Sequence, residues 1–139
     1  AFGRAVESLG GRYVTAEDVG IGVADMQAVR RETAHVAGLP AEQGEVGGDP
    51  GPHTSYGVFL GIKAAVRRAL GRDSLSGLRL ALQGAGSVAS GVARRAAEEG
   101  ARLVIADVDQ AKAERLAAET GGETVAPEAI LALEADVIS

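Results

Sequence analysis

The residues best suited to chemistry form the run Gln83-Gly84-Ala85-Gly86-Ser87-Val88-Ala89, a Gly-x-Gly-x-x-Ala pattern between an apolar stretch and a helical one. Each position has a physical reason. Gly84 permits a tight turn. Gly86 carries no side chain, so the backbone can approach a pyrophosphate while the amides and positive dipole end of the following helix face it. Ser87 and Val88 open that helix, and Ala89 is small enough to let it pack on the strand. Asp107 follows 23 positions after Gly84, close to the ~20 expected of an acid that accepts hydrogen bonds from the adenosine ribose hydroxyls. It would repel a 2′-phosphate, and no arginine stands beside it, so the pattern favours NAD over NADP. Taken alone, a glycine-rich turn is also a common structural connection, and Asp107 alone reads equally well as a helix cap or solvated strand end.

These residues need elements to hold them. Leu78–Leu82 and Leu103–Ala106 read as buried strands, and Ser87–Glu99 and Asp109–Thr120 as helices, the first with Val88, Ala89, Val92, Ala93 and Ala96 on one face. A weak strand around Glu123–Val125, a short helix over Pro127–Leu133 and a strand from Asp136 continue the alternation. Such an alternation predicts a parallel sheet with right-handed crossovers. Upstream, Phe59, Ile62, Val66 and Leu70 mark a long helix capped by Thr54 or Ser55 and closed by Gly71. Tyr56 and Phe59 read as core. Before it come a helix over Ala1–Leu9, a short strand at Arg12–Thr15, a helix capped by Asp25 with Met26, Ala28 and Val29 inward, and a Gly/Pro-rich loop from Gly38 to Pro52.

Composition narrows the function. The 139 residues are 46% hydrophobic and 24% charged, as in a globular domain. Twenty glycines are roughly twice the average share and imply many tight turns. A net charge of −5 disfavours a nucleic-acid footprint, and no apolar run is long enough to span a bilayer. There is no cysteine, hence no disulfide or thiolate metal site, which fits the cytoplasm. His35 and His53 have no partner at metal-ligand spacing, so no metal is expected. The arginine pairs at positions 30–31, 67–68 and 94–95 read as solvated helix faces. The chain starts without methionine and stops at Ser139 inside an apolar run, so a part of a longer protein is expected, with a processed chain as the alternative.

Three runs occur together in order: Arg12-Tyr13-Val14-Thr15-Ala16-Glu17-Asp18-Val19-Gly20, Asp49-Pro50 through Thr54-Ser55-Tyr56-Gly57-Val58, and the Gly84 loop. In this the chain resembles the Glu/Leu/Phe/Val dehydrogenases, and most nearly the leucine and valine enzymes, over essentially its whole length. The resemblance implies an α/β fold in which the first half of a Rossmann-type, doubly wound parallel sheet is preceded by the end of an α/β substrate domain. It divides the chain at 1–53 (substrate and dimerisation domain), 54–72 (interdomain helix) and 73–139 (NAD-binding domain). The family's oxidoreductase reaction deaminates an L-amino acid to a 2-oxo acid and ammonium while passing hydride to NAD. By resemblance Asp18 is the catalytic acid and base, and Thr54 lies near the nicotinamide carboxamide. By itself Asp18 reads as an acidic turn and Thr54 as a helix cap.

Two features differ from the family pattern. Ile21 stands where threonine is usual, and the family's activating lysine, borne on a glycine-rich loop, has no match in Lys63 or Lys112, both of which fall in helices. The isolated chain is therefore expected to be inactive. The implied partners are a small L-amino acid and, for the full-length protein, copies of itself, with no nucleic acid and no membrane. The alternatives are a non-enzymatic NAD-sensing module, which would leave the Asp18 run without a purpose, or a glutamate or phenylalanine dehydrogenase.

Overall fold

A computed structural model describes residues 1–18, 20–40 and 48–139. Val19 and residues 41–47, which include the acidic stretch Glu42–Val46 of the expected loop, lie outside the described residues. The chain divides into two compact units, Ala1–Pro50 and Gly51–Ser139.

In the first unit, helix α1 (Phe2–Ser8) buries Val6, and α2 (Val23–Arg30) buries Met26. The helices meet closely, since a Cβ at Gly3 would stand 3.0 Å from the Val29 carbonyl oxygen. Gly22, not Asp25, is the N-cap of α2; Asp25 sits in the first turn and its carboxylate accepts the Gly22 amide at 3.0 Å. This is half of a capping box. Ala28 is exposed and Val29 only half-buried. The strand expected at Arg12–Thr15 is reduced to one parallel bridge, Thr15 with Val36. Tyr13 and Val14 remain exposed, with no ladder to recruit them. Buried Thr33 donates its hydroxyl to Glu7 at 2.6 Å and ties the segment after α2 to α1.

The second unit opens with α3 (Gly51–Leu70). It starts before the expected cap: Thr54 and Ser55 lie within the helix, and Ser55 donates its hydroxyl to the Pro52 carbonyl at 2.9 Å. Pro52 fits the first turn because its missing amide has no intrahelical acceptor there. Phe59, Ile62 and Val66 are buried as their spacing predicts, whereas Leu70 and Tyr56 are exposed. Gly71 ends the helix at φ +66, its amide donating to the Arg67 carbonyl.

Beyond it the chain alternates: β1 (Arg79–Gln83), α4 (Ser87–Glu98), β2 (Arg102–Ala106), α5 (Gln110–Thr120), β3 (Glu123–Thr124), a 3-10 helix (Pro127–Ala132) and β4 (Val137–Ile138). The strands form one sheet in the order β3-β2-β1-β4, every pair parallel. Strand alternation sends Leu80, Leu82, Leu103 and Ile105 into a core with α3, α4 and α5. Ala81, Val104 and Ala106 point the other way, toward Ile130 of the 3-10 helix. In α4, Val92, Ala93 and Ala96 are buried while Val88 and Ala89 are only half-buried. The Asp109 side chain caps α5, and Gly121 closes it at φ +69.

Candidate functional site

The site grows from the end of β1, where parallel strands finish together and the chain turns into α4. Gly84 takes φ +111, which a residue with a side chain rarely adopts. Its amide donates to the Ala106 carbonyl at 2.6 Å, drawing the loop against the end of β2. Buried Ala85 follows, and its amide donates to Asp107 Oδ2 at 2.7 Å. Gly86 is the N-cap of α4, with its carbonyl accepting the Ser90 amide at 2.9 Å.

Asp107 is the residue after β2 and is half-buried. Its Oδ1 accepts the Asp109 amide at 2.7 Å. The bond from Asp109, then the bond from Ala85, and to a smaller extent the charge of Lys112, hold its carboxyl below the usual aspartate range. Beside it lies a cavity of about 160 Å³ lined by Gln83, Gly84, Ala106, Asp107, Val108 and Pro127. Val108 stands 94% exposed at this rim, although its type would ordinarily be inside.

Whether these residues suit a dinucleotide can be tested at Gly86. Its φ of −77 is open to any residue, and a Cβ placed there would meet no protein atom within 4 Å. Neither the backbone nor the packing requires glycine at this position. Bare main chain facing open space at a helix start, beside an ionised carboxylate, fits a phosphate-bearing ligand with a sugar attached.

The remaining expected site residues lie elsewhere. Ser87 is exposed at the start of α4, and Val88 and Ala89 follow it half-buried. Thr54 is exposed near the start of α3. Asp18 belongs to the first unit, exposed in the loop before α2, and its carbonyl accepts the Ile21 amide at 2.9 Å. Lys63 is ion-paired with Glu99, and Lys112 lies 3.7 Å from Asp109. Of the 94–95 pair, Arg94 is exposed as expected and pairs with Glu119, whereas Arg95 is half-buried against α3. The spacing of residues gives no sign of the Ala85–Asp107 bond or of Pro127 at the cavity wall. Among the described residues no group of three acidic, histidine or cysteine side chains could hold a metal ion, and no helix is long and apolar enough to cross a membrane.

No family model matches the chain. Individual proteins do. The leucine dehydrogenase of Geobacillus stearothermophilus is 45% identical over 139 residues, all of this chain and 38% of that protein. The valine dehydrogenase of Streptomyces virginiae is 44% identical over 115 residues, 83% of this chain and 32% of the relative. Among solved structures, L-tryptophan dehydrogenase from Nostoc punctiforme matches with a TM-score of 0.69 at 37% identity, covering 99% of this chain and 38% of that one. The chain belongs to the Glu/Leu/Phe/Val dehydrogenase family. It spans about 38% of the length of the leucine dehydrogenases it matches.

Proposed function

We propose that this chain is part of an NAD-dependent dehydrogenase that oxidatively deaminates a branched aliphatic L-amino acid, of the leucine or valine type, to a 2-oxo acid and ammonium. Residues 1–53 would end the substrate domain, 54–72 form the interdomain helix, and 73–139 begin the NAD-binding domain. The reading is supported above all by the whole-length likeness to leucine dehydrogenase, which takes in the Asp18 run as well as the Gly84 loop. A module that only senses a nucleotide would have no use for the former.

In this reading Gly84 makes the turn, and the backbone of Ala85, Gly86, Ser87 and Val88 borders the pyrophosphate, with Ala89 keeping α4 close to the sheet. Asp107 accepts the ribose hydroxyls and disfavours a 2′-phosphate. Thr54 orients the carboxamide of the nicotinamide. When bound, NAD supplies the acceptor for the hydride leaving the substrate Cα. Asp18 moves protons to and from the nitrogen and the attacking water as the imine is hydrated and ammonium departs. The full-length protein is proposed to be a cytoplasmic homo-oligomer that engages neither nucleic acid nor membrane.

The test is Asp18→Asn in the full-length protein. Leucine-dependent NADH production should fall by about 100-fold or more, while NADH binding followed by fluorescence stays within about twofold of wild type. Undiminished turnover would overturn the assignment of Asp18.

A further inference from the structure

The Asp107 carboxylate does more than end a strand. One oxygen accepts the Asp109 amide of its own loop, and the other reaches across to the Ala85 amide, each at 2.7 Å. Ala85 is also held through its carbonyl, which accepts the Ser90 hydroxyl at 3.3 Å. Just before it, the Gly84 amide is fixed to the Ala106 carbonyl. Together these bonds anchor the glycine-rich loop. Of the groups that make them, only Asp107 is a side chain that also lines the cavity at the strand ends.

An ionised carboxylate binds backbone amides about twice as strongly as a neutral acceptor does. It offers about four lone-pair positions. Two are used by the amides of Ala85 and Asp109, and two remain for hydroxyl donors from a sugar. One group can therefore hold the loop and the sugar at the same time.

Resting on the dinucleotide reading, we infer that Asp107 is a positioning residue for the phosphate loop as well as a sugar ligand, its bond to Ala85 fixing the loop conformation that a pyrophosphate meets. Sugar recognition and loop order are then coupled through a single carboxylate. Asparagine cannot replace it, because its amide end would present N–H to one of the two backbone N–H groups. Alanine removes both bonds.

The experiment compares ADP with 2′,3′-dideoxy-ADP by calorimetry on the full-length protein, as wild type, Asp107→Asn, Asp107→Ala and Ser90→Ala. Wild type should prefer ADP by about tenfold. Asp107→Ala should erase that preference and also weaken dideoxy-ADP, which has no sugar hydroxyl for the carboxylate to hold, by about tenfold relative to wild type. Ser90 does not line the cavity beside Asp107, so Ser90→Ala should weaken both nucleotides alike and keep the preference. Hydrogen exchange without nucleotide supplies a readout independent of ligand: the Ala85 amide should exchange about tenfold faster in Asp107→Ala, and in Asp107→Asn either the Ala85 or the Asp109 amide should do so, with the β1 amides unchanged. If dideoxy-ADP binds Asp107→Ala as tightly as wild type, the role of Asp107 ends at the sugar and the inference is wrong. If wild type binds neither nucleotide, the dinucleotide reading fails and takes the inference with it. That failure is recognisable because the exchange contrast at Ala85 would persist.

Discussion

Gly91 of α4 lies against Ser55 of α3 with no room for a side chain: a Cβ there would fall 2.3 Å from the Ser55 hydroxyl oxygen and 2.5 Å from its Cβ. Arg95, one turn along, donates to the Gly91 carbonyl at 2.9 Å and to the Ser55 hydroxyl at 3.3 Å. Its guanidinium also sits over the Tyr56 ring, 5.5 Å from the centroid. The two helices are keyed together at one small-residue contact, and α3 thereby belongs with the sheet.

Replacing Gly91 with alanine should therefore destabilise the protein. The overpacking cost of about 1–3 kcal/mol outweighs the ~1 kcal/mol that alanine gains over glycine in a helix, because the opposing Ser55 Cβ is not a flexible end. Gly61 of α3 provides the contrast, since a Cβ there meets nothing within 4 Å. Gly61→Ala should stabilise by up to about 1 kcal/mol. Urea denaturation of both variants measures the difference, and equal effects would contradict the contact.

The two loop glycines should separate folding from binding. Gly86→Ala meets no steric or backbone penalty, so its melting temperature should stay within a few degrees of wild type, near the cost of about 1 kcal/mol or less for a poorer N-cap. Its affinity for NADH should nonetheless fall by about tenfold or more, because a methyl group occupies the space a phosphate needs. Gly84→Ala is strained at φ +111 and should lose both stability and affinity. Fluorescence titration alongside a thermal melt reads both quantities, and full affinity in Gly86→Ala would count against a phosphate at this loop.

Glu99 makes stability sensitive to acid. Its ion pair with Lys63, and then the Leu75 amide at 3.2 Å, hold its pKa below the usual 4.5. A carboxylate with a lowered folded-state pKa stabilises above its unfolded value, and that contribution is lost as the pH falls through the folded-state value. Urea midpoints measured from about pH 7 to about pH 3 should therefore drop below pH 4.5. In Glu99→Gln the midpoint should be lower at neutral pH and the acid-side slope shallower. An unchanged slope would show that other carboxylates govern the acid limb.

Much of the second unit was legible because its signals are local. Apolar runs bounded by turns place β1 and β2 within a residue of their expected ends, and the periodicity of α4 and α5 does the same. Where partners are distant in sequence the reading failed. Arg12–Thr15 has strand-like residues but only the Thr15–Val36 bridge to pair with. The start of α3 was hidden by Pro52, which breaks a helix interior but suits its first turn. Arg95 reads as a solvated charge until the α3–α4 crossing brings acceptors to it. At the site, spacing singled out Gly84, Gly86 and Asp107, since the motif is short and contiguous around a strand end. The bond joining Asp107 to Ala85 depends on two strands lying side by side, which no spacing encodes.

β1 is flanked by β2 on one side and β4 on the other, and its last residue, Gln83, donates its amide to the Ser139 carbonyl at 2.8 Å. The two-residue β3, by contrast, pairs only with β2. Thermal fraying consequently starts at β3 and reaches β1 only through β2. The glycine-rich loop suspended from β1 keeps its shape while that margin breathes.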